Sequence, residues 1–333
     1  MIDLHLHLDG SLTPDDILVL ADIDKVELPT TDKEELKNYL SFHGDNRTLT
    51  HYLTYFDLPL SVMQSKESVE KAVELMVKRL SKSGMLYAEI RFAPLLHTRK
   101  GLSVEEVVVS AISGLKKAIT ENFVAQLILC CMRIDGVEDL NRETVTCAKK
   151  YLGRGVCALD LAGNEDGFVY DKYKDLFSYA RELKLPITIH AGERGGAEQV
   201  EAAIKLGARR IGHGVHLVES ERLMNIVLEK GIGVEMCPTS NFQTGAVDEM
   251  KDYPLREYLR RGILVCVNTD STVVSSTNIR REFEFLKESV GLTVEEKVKC
   301  YLNALNIAFL PTAIKDNLRG KIIAGLAREA ENK

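Results

Sequence analysis

The chain has 333 residues, 45% of them hydrophobic, so it is long enough to bury a large core. Its 43 basic and 49 acidic residues give a formal charge of −6, and no run of lysines or arginines is present to neutralise a phosphate backbone, so nucleic acid is not an expected partner. We also expect no signal peptide and no membrane association, because the N-terminus lacks a basic segment before an apolar one and no apolar run approaches the roughly 20 residues that cross a bilayer.

Predicted elements begin with a strand at residues 2–7, and the stretch after it, residues 12–79, is too long for one crossover helix. This stretch is expected to add extra helices that cover one mouth of the fold. From about residue 85 onward, short apolar runs alternate with amphipathic stretches, which is typical of βα units around a parallel sheet. Further strands are predicted at residues 86–92, 125–132, 156–161, 187–190, 210–213, 232–236 and 264–267. The intervening helices are predicted at residues 104–119, 140–151, 170–183, 197–206, 220–229 and 254–261.

Eight strands with intervening helices favour an α/β fold of the (β/α)₈, TIM-type barrel class, with residues 1–333 forming a single domain. A doubly wound open sheet is the alternative. That fold should show a glycine-rich phosphate turn after its first strand, and Gly10 alone is no such turn.

Seven cysteines are scattered along the chain, mostly within apolar runs rather than in paired loop spacings. An odd number without such spacings is not typical of a disulfide framework. We therefore predict reduced thiols in the core of a cytoplasmic protein. These residues are Cys130, Cys131, Cys147, Cys157, Cys237, Cys266 and Cys300.

Histidines and acids recur where the predicted strands end, and in a (β/α)₈ barrel these ends open onto one face. His5 and His7 are two positions apart, so both imidazoles point to the same side of the first strand. Such a pair alone equally fits an edge strand with two exposed histidines. Because His190 and Asp270 end further strands, the four together supply three nitrogens and one oxygen, a set that suits zinc.

Two more polar residues follow the same placement. Glu193 lies three residues after His190, where a strand leads into a loop, and a carboxylate there can be a metal ligand or a proton carrier. His213 lies between Gly212 and Gly214 and also fits a core histidine. The two glycines favour a site, since they let the backbone approach closely.

Taken together, six motifs resemble the adenosine deaminase family of the amidohydrolases. They are HLHLDG (5–10), DLAGNE (160–165), HAGE (190–193), GHG (212–214), CPTSN (237–241) and NTD (268–270). Their order and spacing extend over nearly the whole chain. The resemblance implies hydrolytic removal of the 6-amino group of adenosine or 2′-deoxyadenosine, giving inosine or deoxyinosine and ammonia.

The resemblance also assigns residues to roles. One Zn²⁺ per chain would be held by His5, His7, His190 and Asp270. Zinc would lower the pKa of its water to about 7, and the resulting hydroxide would attack C6 of the purine. Glu193 would protonate N1, and His213 and Asp270 would orient the hydroxide and move its proton.

A single metal is expected because many related amidohydrolases hold a second one through a modified lysine after the fourth strand. Here that region reads ALDLAGNE, without lysine. A different class of zinc deaminases, which acts on flipped bases, carries His-x-Glu and Pro-Cys-x-x-Cys signatures that this chain lacks.

Contacts with the substrate are implied for four residues. Asp9 would accept a hydrogen bond from the ribose 5′-hydroxyl and would repel a 5′-phosphate, His7 would lie beside the nucleoside, and Gly163 would offer its backbone N–H to N3. The family usually reads Asn-Thr-Asp-Asp-Pro where this chain reads NTDST, so Ser271 replaces the acid that contacts N7. A hydroxyl can donate to that acceptor nitrogen directly or through a water.

One further segment, residues 49–56, resembles the apolar lid of the family, although helix packing explains its spacing almost as well. Three functions stay open. The chain is an adenosine deaminase, a deaminase of another 6-aminopurine such as adenine or a modified nucleoside, or a noncatalytic purine-binding relative, which the intact residue set disfavours.

Overall fold

The computed structural model describes residues 1–165 and 170–331, except for the side chains of residues 325–331. Within these residues it contains eight strands: β1 Ile2–His7, β2 Tyr87–Phe92, β3 Val124–Met132, β4 Val156–Ala162, β5 Thr188–Ala191, β6 Arg210–His213, β7 Gly233–Met236 and β8 Leu264–Val267. The same residues form fifteen α-helices. They are α1 Pro14–Asp24, α2 Lys33–Leu40, α3 Leu49–Leu53, α4 Asp57–Ser61, α5 Lys66–Lys82, α6 Val104–Ala118, α7 Glu138–Tyr151, α8 Tyr170–Glu182, α9 Ala197–Leu206, α10 Glu221–Lys230, α11 Pro238–Gln243, α12 Leu255–Arg261, α13 Ile279–Val290, α14 Val294–Ile307 and α15 Thr312–Glu331.

All strands pair in parallel and in chain order, β1 to β4 in one sheet and β5 to β8 in the other. Two seams join these sheets. Leu159 of β4 pairs with Ile187 just before β5, and Leu6 of β1 pairs with Asp270 just after β8. Because both seams are closed, the strands form a barrel, and the prediction of a (β/α)₈ fold rather than an open sheet is confirmed.

The segment between β1 and β2 contains five helices. The last of them, α5, packs along α6 and acts as the crossover helix of the first βα unit. Its start is set by Ser65, whose hydroxyl accepts from the N–H of Ser68 in a capping box. Helices α1 to α4 are therefore the extra ones, as the length of this segment predicted.

Element boundaries differ from the sequence prediction by one or two residues. The strand predicted at 232–236 begins at Gly233, because the N–H of Ile232 still closes the turn after α10 by donating to Val227 O at 3.0 Å. All seven cysteines are buried, as predicted. Among the described residues, no helix combines the length and apolar character needed to span a membrane.

Candidate active site

A cavity of about 310 Å³ opens where the carboxyl ends of the strands meet. Apolar side chains from α3, α4 and the turn between them form one wall: Leu49, Tyr52, Leu53, Phe56 and Leu60. The opposite wall contains polar residues that follow the strands: His7, Asp9, Gly163, Asn164, His190, Glu193, His213 and Asp270. The strand-end residues thus converge as predicted, and the segment predicted as a lid contributes to the cavity lining.

The histidine cluster lies at the floor of this cavity. His7 Nε2 is 3.1 Å from His190 Nε2, and it is 3.4 Å from Asp270 Oδ1. The Nε2 atom of His5 lies 3.8 Å from the same carboxylate oxygen. It is buried and has no hydrogen-bond partner within the described part of the chain. Ligand atoms of two overlapping triplets lie within 4.8 Å of one another: His5, His7 and His190, and His5, His213 and Asp270. This donor set fits a divalent cation, which would satisfy the orphaned nitrogen.

Burial favours the neutral form of three of these imidazoles, those of His5, His7 and His213. It lowers the pKa of His5 well below the ordinary value, and the charge of Arg91 lowers it further. Burial likewise lowers the pKa of His7 and His213. The nitrogen lone pairs therefore stay available for a metal at neutral pH.

Two carboxylates set the tautomers of two histidines in this cluster. His5 Nδ1 donates to Glu235 Oε2 at 2.9 Å, and His190 Nδ1 lies 3.0 Å from Asp160 Oδ2. A proton held on Nδ1 leaves the Nε2 lone pair facing the cluster.

Arg91 joins these two carboxylates. Its guanidinium is fully buried and donates from Nη1 to Asp160 at 3.0 Å and from Nη2 to Glu235 at 2.7 Å. Burial alone would raise the pKa of Glu235, but Arg91 and Arg210 lower it to about 2. Burial also acts to raise the pKa of Asp160, yet His190 and Arg91 hold it below its usual range. Both carboxylates are therefore ionised acceptors.

No sequence motif pointed to a role for Arg91, Arg210 or Glu235. The available signal was a charged residue within a short strand: Arg91 in β2, Arg210 at the start of β6 and Glu235 in β7. Asp160 begins the DLAGNE motif, but no role was assigned to it.

Glu193 lies in the turn after β5 and is 5% exposed. Burial raises the pKa of its carboxyl well above the usual value, and the charges of Asp270 and Glu165 raise it further. His213 Nε2 is 3.6 Å from Glu193 Oε2. A carboxyl group in this setting keeps its proton to higher pH than a free carboxyl does and can act as an acid.

The tautomer of His213 follows from Asn241. The amide oxygen of Asn241 accepts from the hydroxyl of Tyr253 at 2.8 Å and from the N–H of Cys237, so its NH₂ group faces His213 and donates to Nδ1 at 2.9 Å. The remaining ring proton is consequently on Nε2, on the side of Glu193.

Two site residues have left-handed backbone conformations that non-glycine residues seldom adopt: His213 at φ 64° and Asp270 at φ 58°. His213 is the last residue of β6 and pairs with Ala191, and Asp270 lies three residues after β8 and pairs with Leu6 of β1. Ser240 donates to Asp270 Oδ2 at 2.5 Å and holds that carboxylate in place. Strain of this kind is concentrated at functional sites.

Of the predicted substrate contacts, Asp9 and Gly163 line the cavity, whereas Ser271 does not. Asp9 lines the cavity, and burial raises the pKa of its carboxyl to about 6. Gly163 also lines the cavity, with φ +97°, a conformation that favours glycine. Ser271 is fully buried and is absent from the cavity wall; its Oγ lies 3.4 Å from Asp270 Oδ1. A Cβ at Gly10 would come within 2.2 Å of that hydroxyl, so Ser271 occupies the space that Gly10 leaves open.

Comparison with known proteins gives one consistent result. A family model described as adenosine deaminase matches residues 1–325. The chain is 43% identical to an adenosine deaminase from Haemophilus ducreyi, over 97% of this chain and 95% of that protein, and 40% identical to one from Clostridium botulinum strain Okra, over 96% of each. The solved structure of an adenine deaminase from Arthrobacter aurescens matches with a TM-score of 0.87 at 28% identity, covering 98% of both chains. The chain therefore belongs to the adenosine deaminase family.

Proposed function

We propose that residues 1–333 form a single catalytic unit, a zinc-dependent aminohydrolase that converts adenosine and 2′-deoxyadenosine to inosine and deoxyinosine with release of ammonia. The observation that carries this proposal is the cluster of ligand atoms from His5, His7, His190 and Asp270 at a cavity that the buried Glu193 also lines. Relatives named adenosine deaminase at 40–43% identity over almost the whole chain support it.

The metal would be held by four side chains: His5, His7, His190 and Asp270. Zinc supplies Lewis acidity there, lowering the pKa of a water to about 7. The support for this ligand set is the buried Nε2 atom of His5, which has no partner, and the carboxylates that hold the Nδ1 protons of His5 and His190.

We expect the purified protein to contain about one zinc per chain and to lose activity on chelation, because four side chains satisfy one tetrahedral ion. Metal analysis alongside activity before and after dialysis against a chelator measures this. Zinc added back should restore the rate. Two metals per chain in the active form would contradict the mononuclear site.

The chain's own residues carry the proton transfers. Glu193 donates a proton to N1 of the purine, which removes aromatic resistance to addition at C6. Asp270 takes up the proton of the attacking water. His213, whose Nε2 carries the ring proton, orients that water by donating to its oxygen. Gly163 donates its N–H to N3 and aligns the ring. The apolar wall from α3 and α4 excludes bulk water from the reacting atoms.

Nucleoside recognition is assigned to Asp9 and His7. Asp9 accepts the ribose 5′-hydroxyl, and a carboxylate at this place disfavours a 5′-phosphate by repulsion. Ser271 donates to N7 through a bridging water, because its hydroxyl lies behind the cavity wall next to Asp270.

Asp9→Ala should lower kcat/KM for adenosine by roughly 5- to 150-fold, the effect of losing a buried hydrogen bond worth about 1–3 kcal/mol. Free adenine has no ribose, so its deamination should be unchanged. Asp9→Asn is the matched control, since its amide oxygen still accepts from the hydroxyl. Equal losses on adenosine and adenine would remove Asp9 from ribose recognition.

A deaminase of another 6-aminopurine is the second candidate, favoured by Ser271 and by the structural similarity to an adenine deaminase at 28% identity. Ammonia release by zinc-loaded protein from adenosine, 2′-deoxyadenosine, adenine and an N6-substituted adenosine separates the two. We expect the highest kcat/KM with the first two compounds. Efficient turnover of adenine or the substituted nucleoside without turnover of adenosine would replace the proposal. No release from any of them would favour a purine-binding protein.

A further inference from the structure

Glu165, in the loop after β4, is a buried carboxylate that has no role in the proposed deamination mechanism. It is 2% exposed, and one of its oxygens, Oε2, accepts three successive backbone N–H groups: Glu193 at 3.1 Å, Arg194 at 3.0 Å and Gly195 at 2.8 Å. Its other oxygen is buried and has no hydrogen-bond partner among the residues that the structure describes. The carboxylate is therefore committed to this one turn.

The conformation of the turn that Glu165 holds depends partly on the local sequence and partly on the acceptor that Glu165 provides. Gly192, between β5 and Glu193, has φ +67°, and a Cβ there would come within 2.7 Å of Val200 Cγ2, so glycine is required. After it, three N–H groups converge on one point, which is the arrangement that binds an anion. Glu193 is buried, so without an acceptor its N–H would be left unsatisfied at a cost, whereas Arg194 and Gly195 are more exposed.

The position of the turn determines the position of Glu193, the proposed proton donor. Glu193 is the first residue whose N–H is held, and its side chain enters the cavity from that point. A displacement of about 1 Å in a reacting group can cost roughly 100-fold in rate. The loop after β4 thus sets the geometry of a residue on the loop after β5.

We propose that Glu165 is a positioning residue that holds the Glu193–Gly195 turn through three backbone hydrogen bonds and thereby aims the Glu193 carboxyl at the substrate. The aim of the Glu193 carboxyl at a substrate rests on the proposed function, whereas the hold of Glu165 on the turn does not depend on it.

Two variants test the proposal. Glu165→Ala removes the acceptor, and Glu165→Gln keeps one carbonyl oxygen but loses the charge, so it provides a folded protein if the first variant fails. We expect faster amide hydrogen exchange in the peptide containing residues 193–195 and a fall in kcat for adenosine of about 10- to 100-fold in Glu165→Ala, with smaller effects in Glu165→Gln. Inhibition by inosine and KM should change less than about threefold, because nucleoside binding is not removed.

Glu74→Gln is the matched control, since Glu74 is a little-exposed carboxylate on the outer helix α5, paired with lysines. It should leave both exchange at residues 193–195 and kcat unchanged. Unchanged exchange at residues 193–195 in the Glu165 variants would overturn the proposal. The proposal would also be overturned if these variants exchanged faster but kept a normal kcat while Glu193→Gln was inactive. Faster exchange together with a fully active Glu193→Gln would support the anchoring of the turn and refute the proton-donor role instead.

Discussion

Glu193→Gln is expected to lower kcat for adenosine at least about 100-fold, the typical effect of a lost general acid. Glutamine has nearly the same shape and can still hydrogen-bond to N1, but its amide does not transfer a proton to the ring. The variant should therefore keep its zinc and its affinity for inosine. Steady-state kinetics, metal analysis and inosine inhibition on the same preparation measure the three quantities.

The pH dependence supplies an independent check of this role. Burial, followed by the charges of Asp270 and Glu165, raises the pKa of Glu193 in the folded protein, so the acid form persists to higher pH than in a free carboxyl. The rate should then fall as pH rises through that pKa, and this limb should be absent from the residual activity of Glu193→Gln. Near-normal turnover in the variant would remove Glu193 from the mechanism.

Arg91→Met is expected to lower the free energy of unfolding by about 3–5 kcal/mol. Methionine fills much of the volume but leaves Asp160 and Glu235 as buried carboxylates that have lost their shared cation. Urea unfolding of metal-free protein measures the change without a contribution from bound zinc. Arg256→Met is the control, because Arg256 forms an exposed pair with Glu296 that is worth at most about 1 kcal/mol. A loss no larger than that of the control would contradict the prediction.

The same substitution should weaken the metal site. With Arg91 removed, the carboxylates that orient His5 and His190 are no longer fixed, and partners of this kind contribute about 10- to 100-fold to metal affinity. Competition with a chelator of known affinity measures the zinc affinity of wild type and variant. Each protein is tested without urea, at a temperature where it is folded. Unchanged zinc affinity would show that the histidines hold their orientation without Arg91.

Short-range patterns in the sequence predicted most of the architecture. The alternation of apolar runs with amphipathic helices located all eight strands, since each strand is completed by residues that are neighbours in the chain. The two-residue spacing of His5 and His7 placed both imidazoles on one side, and the strand-end position of His190 and Asp270 brought them to the same mouth. Boundaries were less accurate, because they depend on turn hydrogen bonds such as that of Ile232.

Sequence by itself thus determined the barrel and placed the candidate metal ligands and Glu193 at one mouth of it, because the strand period fixes the side and the strand end fixes the face. The role of Glu193 as the acid followed from the family resemblance. Only the tertiary structure decided which buried groups meet. His5 and Glu235 are 230 residues apart, and Arg91 and Glu235 are 144 apart, so no local pattern links them. The same reason applies to Glu165 and the turn it holds. It applies also to Ser271, which the family resemblance assigned to the substrate but which packs against Gly10 behind the cavity wall. Strand order and register determine which side chains contact one another across a closed barrel. The chain acquires both only when the two seams have formed.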